Sequence, residues 1–166
     1  LSDPSPDATL KIADFGLSKV LDRTQGQVQM GTVCGTWAYC APEVKTSIYG
    51  GKAHYTAAVD MWSVGVILFV MMAAYHPFDP EGELSDDQLW RNILSGVFDF
   101  NDPVWRNISQ GAKDLIRKLI VIDAQKRFTP QQVLEHPWIA QNWTNGKYPE
   151  VPDTPISPVI NQKLGK

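Results

Sequence analysis

The longest apolar run, the twelve residues Val64 to Tyr75 (VGVILFVMMAAY), constrains this chain more than any other stretch. Twelve residues fall short of the ~20 that a bilayer-spanning helix needs. A helix that is apolar nearly all round has to be enclosed by protein instead. The run therefore predicts a buried core helix with the rest of the fold built around it. Thr56 can cap that helix, whose interior runs from Val59 to about Ala74.

Three more helix starts follow. Ser85 with Gln88 forms a capping-box pattern, and Leu84 with Leu89 sits at the positions of a hydrophobic staple. Ser109 opens a helix whose Ala112, Leu115, Ile116, Leu119 and Ile120 recur at the spacing of one apolar face. Thr129-Pro130-Gln131-Gln132 opens the next, with proline at the first helical position, a Thr/Gln box, and Phe128 and Val133 as its staple. His136-Pro137 ends it.

The N-terminal part reads differently. Thr9 to Ala13 alternates, with Leu10 and Ile12 on one face, which predicts a short strand. Leu17 to Gly51 is polar, carries five glycines and has no sustained period, so it reads as one long functional or disordered loop. After Gln141, prolines 149, 152, 155 and 158 rule out regular helix and predict an extended or disordered tail. Thr154-Pro155 and Ser157-Pro158 there could be modified by proline-directed enzymes, although a tail without regulation is the simpler reading.

Bulk properties narrow the class. With 166 residues, 43% hydrophobic and 20% charged, the chain has the size and composition of one soluble globular domain. A net charge of −3 gives no electrostatic case for nucleic acid or an anionic membrane. The first seven residues are polar and hold two prolines, unlike a secretory signal. Cys34 and Cys40 are too few and too close for a disulfide framework and read as reduced thiols, which points to a cytoplasmic or nuclear setting. The sequons at Asn107 and Asn142 are then chance matches.

The chemistry lies in short motifs. Asp14-Phe15-Gly16 is followed by Cys34-Gly35-Thr36 and Ala41-Pro42-Glu43. Further on come Asp60-Met61-Trp62-Ser63-Val64-Gly65, His76-Pro77-Phe78, Arg127 and His136-Pro137-Trp138. A lone Asp-Phe-Gly is weak. The set in this order, over residues 9 to 140, resembles the second half of a protein kinase domain. The resemblance implies a mainly α fold, that of a kinase C-lobe: one short strand, the activation segment 14–43, then a helical lobe over 55–140. The partial domain spans 1–140 and the proline-rich tail 141–166. The best likeness is to the calcium/calmodulin-dependent group, and within it to the checkpoint-kinase branch.

Several roles follow from the resemblance. Asp14 would be the metal ligand, since Mg²⁺ is hard and prefers oxygen donors. Phe15 would report the active or inactive state, and Gly16 would let the loop flip. Thr32 would be the activating phosphosite, where phosphate adds a charge of about −2 that can order a loop. Lys19 would contact that phosphate, the two otherwise being a solvated Thr and Lys. Thr36 would form the substrate-side loop. Glu43 and Arg127 would pair as a buried ion pair, and Asp60 would anchor the catalytic loop. Tyr39, with Gly35-Thr36 before it, points to Ser/Thr rather than Tyr as the acceptor; Trp37 and Cys40 depart from the residues usual at their positions.

The same resemblance implies ATP and Mg²⁺ as the needs of a complete kinase. Its partners would be protein substrates and an upstream activating kinase, or a second copy acting in trans. No basic amphipathic helix follows Trp138, so calmodulin binding is not supported. No G-x-G-x-x-G and no His-Arg-Asp occur, so the catalytic base is expected outside the chain. The expectation is the C-terminal part of a Ser/Thr kinase, alone inactive. The alternative is a non-catalytic module from a truncated kinase. Part of the Val64–Tyr75 helix would then lack its cover and leave an apolar patch open.

Overall fold

Each helix start is written in a side chain that accepts or returns a backbone hydrogen bond. Thr56 leaves the helical region and its Oγ1 accepts from the Ala58 amide at 3.3 Å, opening helix α1 (Ala57–Ala73). In the computed structural model, which describes residues 28–29, 37–44 and 54–141, this is the longest element. Gln88 Oε1 accepts from the Ser85 amide at 3.0 Å and from its hydroxyl at 2.8 Å, opening α2 (Asp86–Ser95). Ser109 Oγ accepts from the Ala112 amide at 3.2 Å and opens α3 (Gln110–Leu119). Thr129 and Gln132 close a reciprocal box at 2.9 and 3.3 Å and open α4 (Pro130–Glu135).

His136 ends α4 and at once caps a further short helix, α5 (Pro137–Ala140), by accepting from the Trp138 amide at Nδ1. The sequence predicts the stop there but not the restart. Among the described residues two 3₁₀ turns, Trp37–Tyr39 and Pro103–Asn107, and a helical turn at 42–44 accompany these helices. Strands among the described residues are two residues long: β1 (Val28–Gln29) pairs antiparallel with β2 (His54–Tyr55), Val28 opposite Tyr55. The described fold is thus mainly helical, the class the sequence predicts. The strand expected at residues 9–13 and the tail after Gln141 lie outside the described residues.

α1 and α3 form the centre. All five residues of the predicted α3 face, Ala112 to Ile120, are buried. Gly65 of α1 is what lets the two helices meet: a Cβ there would lie 2.7 Å from Leu119 Cβ. On the same side of α1, Trp62, Val66, Phe69 and Ala73 are buried. Phe69 joins an aromatic cluster with Phe98, Phe100, Trp105 and Tyr75, ring centroids 4.7 to 5.9 Å from its own. Trp105 in that cluster is fully buried and donates from Nε1 to the Tyr75 hydroxyl at 2.9 Å.

The other side of α1 is open among the described residues. Val64, Ile67 and Met71 are 39%, 46% and 73% exposed, and Asp60 heads the same stripe. The helix ends where Ala74 takes a left-handed conformation (φ 61°) and its amide bonds to Val70 O at 2.8 Å. α2 ends the same way at Gly96 (φ 63°), a residue with no Cβ to strain.

Candidate functional site

The turn Trp37–Tyr39 and the helical turn 42–44 that follows it are held on the helical lobe from three directions. α1 contributes Ser63, whose hydroxyl donates to the Tyr39 carbonyl at 2.8 Å. The loop after α1 contributes His76, whose Nε2 bonds to the Ala38 carbonyl at 2.8 Å. The Tyr39 ring meets the His76 ring edge-on, with centroids 5.9 Å apart. Ala41 and Val44 are buried in the core, so the backbone between them is fixed by packing as well as by hydrogen bonds.

The third hold is Arg127. Its side chain is fully buried, while that of Glu43 is 25% exposed. Nη1 donates to Glu43 Oε1 at 2.7 Å and Nη2 to Oε2 at 3.0 Å, the two-pronged geometry that guanidinium and carboxylate share. Nε and Nη2 also donate to the Val121 carbonyl at 3.0 and 2.9 Å, and Nη1 to the Ala58 carbonyl. The guanidinium lies 5.2 Å from the Trp62 ring. One side chain therefore ties the 42–44 turn to the start of α1 and to the segment after α3.

A second polar group braces the lobe away from this turn. Asp114 of α3 accepts from Lys118 at 2.7 Å, and its Oδ2 lies 3.0 Å from Nε2 of buried His136. The bonds from Lys118 and then His136 hold the Asp114 carboxyl below its ordinary value. Cys40 is half-buried, and burial pushes its thiol up, which favours the protonated form.

Of the residues singled out in the sequence, Glu43, Asp60 and Arg127 lie in described segments. Asp14, Phe15, Gly16, Lys19, Thr32 and Thr36 lie outside them. The structure brings Glu43 and Arg127 together across 84 residues of chain. Asp60 is exposed in the first turn of α1. Among the described residues no group of three His, Cys, Asp or Glu could hold a metal ion. Nor is any described helix long and apolar enough to cross a membrane. Sequence reasoning missed Ser63 and His76. The only signal for them was position: both sit inside motifs, Asp60–Gly65 and His76–Phe78, that otherwise read as structural.

The arrangement is a scaffold presenting a turn, and comparison with known proteins places it. The protein kinase domain matches residues 2–139. The chain belongs to the protein kinase family. Human calcium/calmodulin-dependent protein kinase type IV is 46% identical over 142 residues, which is 86% of this chain and 28% of that protein. The type 1 enzyme of the prawn Macrobrachium nipponense is 45% identical over 139 residues, 84% of this chain and 37% of the relative. Rat type 1B is 43% identical over 137 residues, 82% and 36% respectively. These relatives place the chain with Ser/Thr kinases of the calcium/calmodulin-dependent group. The chain spans 28% to 37% of their length.

Proposed function

We propose that this chain carries the second half of the kinase domain of a Ser/Thr protein kinase whose parent moves the γ-phosphoryl group of ATP to a hydroxyl of a protein substrate. The observation that carries the reading is the anchoring of the turn 37–44. Arg127 and Glu43 fix its C-terminal end, and Ser63 and His76 fix the carbonyls of Tyr39 and Ala38. A backbone held at Ala38, Tyr39 and Glu43 suits a platform for a peptide, because docking then costs little ordering entropy.

In the parent, the substrate hydroxyl oxygen attacks the γ-phosphorus, the bond to the departing ADP oxygen breaks, and the hydroxyl proton goes to a base outside this chain. Asp14 is the residue that would hold Mg²⁺, which supplies neutralisation of phosphate charge. Thr32, once phosphorylated, would order the segment against Lys19. Thr36 would face the substrate. The open stripe of α1, with Asp60 at its head and Val64, Ile67 and Met71 behind it, suits the catalytic loop and the helix that precede residue 1 in a full domain. On this reading residues 1–140 are a partial kinase domain and 141–166 a tail.

Calorimetry with ATP and Mg²⁺ tests the division of labour. The chain alone should show no binding in the micromolar range, and micromolar affinity would overturn its incompleteness. Extending the reading frame upstream of Leu1 tests the rest. A lysine-bearing strand and His-Arg-Asp in frame support the enzyme, and the extended protein should then phosphorylate Ser/Thr peptides in preference to Tyr peptides. A translational start close to Leu1 would overturn it in favour of a non-catalytic binding module.

A further inference from the structure

We infer that neutral His76 is a positioning residue for peptide binding, clamping the Ala38 carbonyl so that the Trp37–Tyr39 turn keeps the shape a substrate needs. The inference rests on the proposed kinase reading for its functional consequence, and on the geometry alone for the clamp itself.

The tautomer is dictated by the neighbours. The Phe78 amide donates to Nδ1 at 3.2 Å, so Nδ1 carries no proton. The proton of the neutral ring is then on Nε2, where it is donated to Ala38 O at 2.8 Å. Both ring nitrogens are used, one to fix the ring on its own loop and the other to reach across 38 residues of chain to the turn. The bridge between His76 and Asp79 stiffens the base of that loop. Asp79 itself accepts from the amides of Gly82, Glu83 and Leu84, so it is engaged with the backbone that follows.

Protonation costs one of these two bonds. A second proton would sit on Nδ1, pointing at the Phe78 N–H, and one of the two bonds that orient the ring would become a repulsion. The ring is faced by Tyr39 from the turn and by Phe78 from its own loop. The charged group acting on it is Asp79. Burial nevertheless outweighs the Ala38 bond and Asp79 and holds the imidazole below its ordinary value of 6.5. Both bonds are therefore made at neutral pH; as pH falls through the lowered folded-state value the Phe78 bond is lost, while Nε2–H stays a donor to Ala38 O and the ring loses its fix on its own loop. Ser63 still holds the Tyr39 carbonyl at that point, so the turn shifts with the loosened ring rather than unfolding.

The test uses both the 166-residue chain and the extended kinase. In the chain, nitrogen-detected magnetic resonance should show His76 as the Nε2–H tautomer at pH 7.5. The backbone signals of Ala38 and Tyr39 should move with the same midpoint as the ring on acidification. An Nδ1–H tautomer, or a turn indifferent to the titration, overturns the clamp whatever the enzyme does. In the kinase, His76→Phe should raise the peptide KM about three- to ten-fold, the range of one neutral hydrogen bond, with kcat and the KM for ATP held. His76→Gln, which can still donate to Ala38 O, should recover most of that loss. It should also remove the rise in peptide KM that the wild type shows on acidification. A fall in kcat with peptide KM unmoved, or the same pH profile in wild type and His76→Gln, overturns the positioning role. Complete absence of peptide phosphorylation would count against the kinase reading alone and leave the clamp to be decided by resonance.

Discussion

Replacing Glu43 by Ala tests whether the 42–44 turn is held by charge or merely by packing. The substitution leaves a guanidinium whose side chain has no solvent exposure and whose remaining described hydrogen-bond partners are the carbonyls of Ala58 and Val121. Stranding a buried charge costs about 3–5 kcal/mol. Glu43 is a quarter exposed, so its removal opens a route for water to Arg127, and the lower end, about 3 kcal/mol, is expected here. The mirror change, Arg127→Met, leaves a carboxylate that can turn toward solvent but takes the Arg127 donors from two carbonyls, each orphan costing about 1–3 kcal/mol. Its cost should also reach about 3 kcal/mol. The double variant should be better than the sum by about 2 kcal/mol, since the stranded-guanidinium penalty exists only while Arg127 remains, whereas the orphaned carbonyls stay. Urea unfolding at pH 7, with sedimentation to confirm the species, measures all four corners of the cycle. A coupling below about 0.5 kcal/mol would refute the reasoning, because the pair would then be two neighbours rather than one interaction.

Gly65→Ala should lower stability by about 1–3 kcal/mol in the same assay, because the new Cβ meets Leu119 Cβ at 2.7 Å and overpacking outweighs the helix-propensity gain of about 1 kcal/mol. Ala74→Gly should raise it by about 0.5–1 kcal/mol, relieving a left-handed φ of 61° at the end of α1. Asp114→Asn should flatten the acid limb of a stability–pH curve. The Asp114 carboxyl is held below its ordinary value, so its contribution is present above that value and is lost as pH falls through the folded-state one. Ile67→Glu with Met71→Glu should reduce self-association of the chain in sedimentation, since both side chains lie in the open stripe of α1.

What the sequence displayed was whatever depends on a few adjacent residues. Thr56, Ser85, Ser109 and Thr129 each announce a helix because the acceptor and the amide it serves lie two or three residues apart. The buried face of α3 was legible for the same reason, as periodicity is local. The 3₁₀ turn Pro103–Asn107 was not read, although Asp102-Pro103 is a start signal: its Oδ1 accepts from the Val104 amide at 2.8 Å. The turn is too short to show a period. What makes it matter, the burial of Trp105 against Phe69 and Phe100, is a contact between distant segments. His76 and Ser63 escaped for a related reason. Their partners are the carbonyls of Ala38 and Tyr39, and a carbonyl has no residue type for a sequence to reveal.

The apolar run that most constrained the fold shows both sides of this. Composition alone could say that Val64 to Tyr75 must be enclosed, since helical rotation puts apolar side chains on every face. Composition could not say by what. Val66, Phe69 and Ala73 found α3 and the aromatic cluster, while Val64, Ile67 and Met71 remain open among the described residues. The 3.6-residue repeat makes that second set a single stripe, so one further element lying along α1 would cover all three at once. Asp60 at the head of the stripe then has a physical sense of its own. A carboxylate in the first turn of a helix is favoured by the helix dipole, whatever element lies against the stripe.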